Sequence, residues 1–292
     1  MKENIGLVGI GLVGSALARN LLENGFNVVG HDIDEERRRF LSGIGGTVVS
    51  SAREVADESN RVILALMTSE IVREVIEGEN GIFSSKKPPR IIIDTTTGNP
   101  EMTETIGARL NEAGIQYLDS TIAGSSKQIG EKDGVFMIGG DKGAYESCLD
   151  IFKAISKKHV YLGASGSGAK AKLAVNLVLG LNRAVLAEGL VFAEQLGIDL
   201  TKILDLFTIT PAYSRAIDVK GKKMVEGNFS PQARLSQHRK DVGLILQAAK
   251  SRGQVLPLSE THYKILNDAV AQGDGELDNS AIIREIKRLK NT

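Results

Sequence analysis

The chain has 292 residues, 42% of them hydrophobic and 25% charged, with 36 basic against 36 acidic side chains. That length exceeds one typical core and suits two domains, and the even charge gives no reason to expect nucleic acid or a membrane surface as a partner. A single cysteine, Cys148, excludes an intrachain disulfide and a cysteine-based metal site, which fits a reducing cytoplasm.

The chain opens with "MKENIGLVGIG", where a strand begins almost at once, and this reads as the absence of a signal peptide. Short apolar runs predict strands at 5–8, 27–31, 47–49, 62–67, 91–94, 115–119, 135–138 and 159–162. Helical periodicity falls between many of them, at 12–24, 35–42, 69–77, 101–113 and 142–155. Alternation of this kind argues for an α/β domain, a doubly wound and mainly parallel sheet with helices on both faces. The early runs are apolar throughout, as strands covered on both sides should be. Beyond residue 165 no strand is expected, only helical periodicity. The predicted division is therefore an N-terminal Rossmann domain over 1–163 and an all-α domain over 164–292. A single helix over 168–197 would be about 45 Å long. Lys172, Asn176, Asn182, Arg183 and Glu188 interrupt its apolar run, so it reads as buried in protein rather than in lipid.

The sharpest signal is "GLVGIGLVGSALARNLLENGFNVVGHDID". Gly9, Gly11 and Gly14 give G-x-G-x-x-G directly after a strand, with Leu12 and Val13 opening the helix that follows. In such a turn the first glycine permits the tight bend. The second lets the backbone approach a pyrophosphate, and the third lets helix pack against strand. The helix N-terminus offers amide N–H groups to phosphate. Asp32 ends the next strand, where a carboxylate accepts from the adenosine ribose hydroxyls and repels a 2′-phosphate, which favours NAD. Arg37 and Arg38 leave NADP open. His31 is expected to flank the adenosine, and "DEERRRF" to be a solvated helix face.

On these and further segments the chain resembles the β-hydroxyacid dehydrogenase family, the 3-hydroxyisobutyrate dehydrogenase-like NAD(P)-dependent oxidoreductases. "IIIDTTTGNP" (91–100) resembles the family segment in which a Ser-Thr pair meets the cofactor, placing Thr96 and Thr97 there. "ALMT" (65–68) is similar to a dinucleotide-contacting loop, with Met67 and Thr68 in place of the usual Leu-Pro. "GSGAKAKLAVN" (166–176) is similar to the family's catalytic helix, and "HRKDVGLIL" (238–246) to its Lys-Asp motif, which implies Lys240 near the nicotinamide. The family's Asp-x-Pro-Val-Ser-Gly-Gly loop, which holds the substrate carboxylate, reads "DSTIAGS" at 119–125. Ala123 replaces the serine and cannot donate a side-chain hydrogen bond, so the backbone N–H groups at Ala123, Gly124 and Ser125, with the hydroxyl of Ser125 or Ser126, are left as candidates for that task. This departure puts the substrate in question more than the reaction type.

Hydride exchange between an alcohol and a nicotinamide needs a group that takes or gives the hydroxyl proton. Lys172 and Asn176 are four residues apart and lie on one face of a helix. Burial there disfavours the ammonium form, which is what an acid/base lysine needs. Periodicity alone leaves a snorkelling lysine beside a helix-contact asparagine equally open. The resemblance implies that Lys172 is the acid/base, that Asn176 assists, and that the pair faces the cleft between the domains.

Tyr213 is a candidate for the substrate pocket, with ordinary packing as the alternative. His238 reads as a satisfied or exposed histidine, and no metal site is expected. The predicted function is an NAD(P)-dependent dehydrogenase acting on a small hydroxy acid or its semialdehyde or keto counterpart. An imine reductase-like enzyme of the same fold and a non-catalytic dinucleotide sensor are the alternatives. The long apolar helix predicts a homodimer or homotetramer.

Overall fold

In the computed structural model, which describes residues 3–289, the chain forms two compact units, Met1–Lys172 and Leu173–Thr292. The division falls inside a helix, later than the expected boundary near residue 163, because the start of that helix packs with the first unit.

The first unit is built on one eight-stranded sheet in the order β3-β2-β1-β4-β5-β6-β7-β8. The strands are β1 (Asn4–Val8), β2 (Asn27–His31), β3 (Thr47–Val48), β4 (Arg61–Leu64), β5 (Ile91–Asp94), β6 (Gln116–Ala123), β7 (Val135–Gly140) and β8 (Lys158–Gly163). All neighbours run parallel except β6 and β7. Each apolar run of the sequence became a strand. β1, β4 and β5 are buried on both faces, as their uninterrupted apolar character requires. Strand order reverses between β1 and β4, so the loops at the carboxyl ends of these strands flank a topological switch point, where open α/β sheets bind ligands.

Around the sheet lie α1 (Leu12–Glu23), α2 (Glu35–Gly43), α3 (Ala52–Asp57), α4 (Ser69–Glu77), α5 (Pro100–Glu112), α6 (Ser126–Gly130), α7 (Lys142–Ser147) and α8 (Leu149–Ile155). The sequence signals for their starts are side-chain caps. Asp34, Ser51, Thr68, Asn99, Ser125 and Asp141 each accept from a backbone N–H of the turn they open. The helix expected over 142–155 is two, broken at Cys148, and the short α3 and α6 had no periodic signature long enough to read. Cys148 is buried, which raises its thiol pKa and makes it a packed bystander. On α2, exposed Glu35 and Arg39 pair one turn apart, as a solvated face should.

α9 (Ser167–Gln195) is one continuous helix of 29 residues. By length and composition it would qualify to cross a membrane, yet Leu186, Ala187 and Leu190 form part of the second unit's core. That unit continues with α10 (Leu200–Ile209), a π-helical turn at Ile217–Gly221, α11 (Lys222–Glu226), α12 (Leu235–Lys250), α13 (Pro257–Ala271) and α14 (Ile282–Arg288). Among the described residues it holds no strand, only an isolated bridge between Arg234 and Asp278.

Candidate functional site

The glycine-rich turn has the geometry its spacing predicts. Gly9 takes φ +93°, and a β-carbon there or at Gly14 would collide with backbone, of Ala65 and Gly9 respectively. Only glycine fits at both. At Gly11 a β-carbon would meet nothing within 4 Å. Gly11 is also the N-cap of α1 and makes no side-chain cap. The turn therefore presents the start of α1 to open space, with Leu12 and Val13 at its rim. This is the cradle a pyrophosphate needs: close backbone approach and uncapped helix amides.

Asp32 stands immediately beyond β2. Its Oδ2 accepts from the Ile10 N–H at 2.5 Å and its Oδ1 from the Asp34 N–H at 2.9 Å, which sets the carboxylate beside the glycine turn. Arg38 is turned inward, its Nη1 donating to the carbonyls of Asp32 and Ile33, and Arg37 lies 3.9 Å from Asp34. His31 Nδ1 lies 3.1 Å from the Val49 carbonyl.

Two loops at the ends of β4 and β5 are stitched together. The Leu66 N–H donates to Thr96 Oγ1, and the Asn99 N–H donates to Ser69 Oγ. Met67 is exposed at the tip of the first loop, and Thr97 is half-buried in the second. The Thr68 hydroxyl accepts from the Ile71 N–H and so caps α4, which leaves its O–H free to donate to a dinucleotide.

In the loop after β6, Ser125 is engaged with Gln128. The Ser125 N–H donates to Gln128 Oε1 at 2.9 Å, its hydroxyl lies 3.2 Å from the same oxygen, and the Gln128 N–H donates back to Ser125 Oγ. This is a reciprocal capping box at the start of α6. Ser125 is buried, with its N–H and hydroxyl directed to Gln128. Gly124 is the exposed residue of the three.

Lys172 is 8% exposed, and its Nζ donates to the Ile122 carbonyl at 2.6 Å. The amine is thus held at the carboxyl end of β6, in the strand turn that carries Ala123. Lys170 pairs at the surface with Glu104 at 2.5 Å, on a different side of α9 from Lys172.

In the second unit, Asn176 Nδ2 donates to Asp241 Oδ2 at 2.9 Å, both side chains being buried. Lys240 Nζ lies 3.2 Å from Asp241 Oδ1. Tyr213 is half-exposed and donates to Asp218 at 2.5 Å, a bond that raises its own pKa. His238 is buried, with its ring centroid 5.2 Å from that of His262. Burial and nearby Arg183 lower His262 to about 4, so it stays neutral at physiological pH.

Several partners escaped sequence reasoning: Asp94 with Tyr117, Asp119 with the start of α9, Gln128 with Ser125, and Asp241 with Asn176. For the first two a signal existed. "IIID" and "IQYLD" are apolar runs that each close on a carboxylate, and both are buried, Asp94 at 5% and Asp119 at 1% exposure.

Residues 4–163 match the family described as the NAD binding domain of 6-phosphogluconate dehydrogenase. Residues 166–286 match the one described as NAD-binding of NADP-dependent 3-hydroxyisobutyrate dehydrogenase. The 2-hydroxy-3-oxopropionate reductase of Escherichia coli (strain K12) is 29% identical over 98% of this chain and 98% of its own. An L-threonate dehydrogenase of Cupriavidus necator is 28% identical over 97% and 96%. A solved structure of Mycobacterium tuberculosis 3-hydroxyisobutyrate dehydrogenase with L-serine superposes with a TM-score of 0.87 at 26% identity, covering 98% of this chain and all of that one.

Proposed function

The chain belongs to the β-hydroxyacid dehydrogenase family, and from that premise we propose which of its residues do what in its NAD(P)-dependent oxidoreduction of small hydroxy acids. When bound, the dinucleotide supplies or accepts the hydride. The protein's own task is to hold it, to hold the substrate, and to move one proton.

Lys172 moves the proton. In the reducing direction it gives a proton to the carbonyl oxygen as charge develops there. In the oxidising direction it takes the hydroxyl proton. The observation that carries this reading is the amine of a buried lysine fixed to the Ile122 carbonyl at the carboxyl end of β6. Asn176, one turn further along α9, assists by hydrogen bonding, oriented through Asp241.

Gly9, Gly11 and Gly14 seat the pyrophosphate, Met67, Thr68 and Thr97 line the dinucleotide, and Lys240 serves its nicotinamide end. Asp32 favours NAD over NADP, and the inward turn of Arg38 supports this by committing that guanidinium to backbone carbonyls. The backbone at Ala123–Gly124 receives the substrate carboxylate, the group shared by the substrates in the relatives' names. With no hydroxyl at 123, and the one at 125 engaged by Gln128, selection of the substrate falls to backbone amides and to pocket shape. Tyr213 is assigned to the substrate pocket.

We place the enzyme in the cytoplasm as a homodimer or homotetramer. Val178, Val185 and Phe192 are 57%, 69% and 65% exposed at seven-residue spacing on α9, and such an apolar stripe calls for a covering surface. The function test is NADH oxidation against a panel of glyoxylate, 2-hydroxy-3-oxopropionate and C3 to C6 semialdehydes and keto acids. Turnover that disappears in Lys172→Ala while NADH still binds supports the reading. Turnover that survives overturns it.

A further inference from the structure

The strand β6 grips the beginning of α9 at four points. Asp119 Oδ1 accepts from the Gly166 N–H at 2.8 Å and Oδ2 from the Ala169 N–H at 2.9 Å. Two residues on, the Thr121 hydroxyl donates to the Gly168 carbonyl at 2.9 Å. One residue further, the Ile122 carbonyl accepts from Lys172. Lys172 lies three positions beyond Ala169, less than one turn of helix, so the anchored turn dictates where its side chain starts.

Space for the carboxylate comes from two glycines. A β-carbon at Gly139, the register partner of Asp119 on β7, would lie 2.5 Å from Oδ1. One at Gly168 would lie 2.9 Å from Oδ2. Gly168 belongs to the segment that precedes the lysine, and a β-carbon there would also lie 2.4 Å from the backbone carbonyls of Asp119 and Met137, so close packing of this turn on β6 and β7 requires glycine.

We propose that Asp119 is a positioning residue: its carboxylate fixes the first turn of α9 on β6 and thereby fixes the Lys172 amine in its working place. The proposal rests on the reading of Lys172 as the proton-transfer group. Asp119 does not touch the reacting atoms and acts only through the helix. Ionised, it accepts both amides. Protonated, one oxygen carries a hydrogen toward an N–H and one of the two bonds is lost.

Burial pushes the Asp119 carboxyl up to about 6 against the pull of those two amides, with neighbouring Asp94 adding to the rise. The titratable and charged groups around it are Asp94 on β5, Tyr117 on β6, Glu104 on α5 and Lys170 on α9. The grip therefore loosens just below neutrality. In the reducing direction Lys172 gives its proton to the substrate, and a loosened grip on the acid side would misplace the amine that does so.

The test uses the full chain with NADH and the most active aldehyde of the panel above. Asp119→Asn should lower kcat by roughly tenfold, since small misplacements of a reacting group carry penalties of that order. The aldehyde KM and the NADH Kd should stay within about twofold of the parent, because uniform binding is untouched. The acid limb with its midpoint near pH 6 should vanish, and amide hydrogens of 166–172 should exchange faster. Thr121→Val removes the second anchor and leaves the carboxylate. It should show the same kcat-only loss with the acid limb retained, and it keeps the proposal open to refutation if Asp119→Asn does not fold. A parent-like kcat and pH profile in Asp119→Asn, with Lys172→Ala inactive, overturns the proposal alone. Parent-like turnover in Lys172→Ala overturns the reading beneath it as well.

Discussion

Asp94 and Asp119 are register partners on adjacent parallel strands, two buried carboxylates side by side in the sheet. Both are raised above the ordinary carboxylate range, chiefly by burial, and Asp119 reaches about 6. The folded pKa of Asp119 lies above its unfolded value near 3.8. Its stabilising contribution is therefore complete below pH 4 and lost as pH rises through 6. The full swing is about 3 kcal/mol at 1.36 kcal/mol per unit. Asp119→Asn does not titrate, so its stability relative to the parent should improve by up to that amount between pH 4 and pH 7. Urea denaturation at the two pH values measures it. A difference independent of pH would mean that Asp119 ionises as freely folded as unfolded.

Tyr117 donates to Asp94 Oδ2 at 2.6 Å, and the Thr96 N–H donates to Oδ1 at 2.9 Å, so one buried carboxylate ties the core of β6 to the threonine loop. Tyr117→Phe removes a hydrogen bond to a buried carboxyl group. It should cost roughly 1–3 kcal/mol in urea denaturation at pH 8. The cost should shrink as pH falls, because a protonated Asp94 needs the donor less. A loss equal at pH 5 and pH 8 would show that Asp94 keeps one protonation state across that range.

The glycine turn was legible because each glycine answers a different steric demand, and the same logic separates two substitutions. In Gly11→Ala the new methyl group points into open space within the protein, so the fold should tolerate it with a Tm change of a few degrees. NADH affinity should nevertheless fall by roughly tenfold or more, since the methyl group occupies the place of pyrophosphate approach. In Gly14→Ala the methyl group meets the Gly9 carbonyl, so the cost should appear in stability first. Thermal melts with and without NADH distinguish the two. A Gly11→Ala protein that binds NADH like the parent would contradict the cofactor site.

Legibility followed range. Strands, caps and the nucleotide turn are written in stretches of a few residues, where apolar periodicity and cap chemistry act locally. Asp119 with Gly166, 47 positions apart, and Asn176 with Asp241, 65 apart, join segments that nothing local connects. The capping box at Ser125–Gln128 is local as well, written as a serine followed three residues later by a glutamine. The division of the chain was displaced for a related reason. Composition changes after residue 163, whereas α9 begins while still bonded to β6.

That capping box sets the last prediction, because it separates two serines that sequence alone treats alike. Ser125 has its hydroxyl and N–H directed to Gln128, so Ser125→Ala should cost about 1 kcal/mol of stability, the usual value of an N-cap, and leave kcat/KM near that of the parent. Ala123 is half-buried at the end of β6, with its side chain free of any polar duty. Ala123→Ser adds a donor beside the Ile122 carbonyl that anchors Lys172, and should change which carboxylate substrates are preferred without altering the melting curve much. The comparison is kcat/KM across the panel for both variants, alongside urea denaturation. A hydroxyl at 123 that forms a bond to substrate is worth roughly 0.5–1.5 kcal/mol, or a few-fold in kcat/KM. If Ser125→Ala instead redistributes substrate preference while Ala123→Ser leaves it fixed, the carboxylate is received by the start of α6 and not by the end of β6.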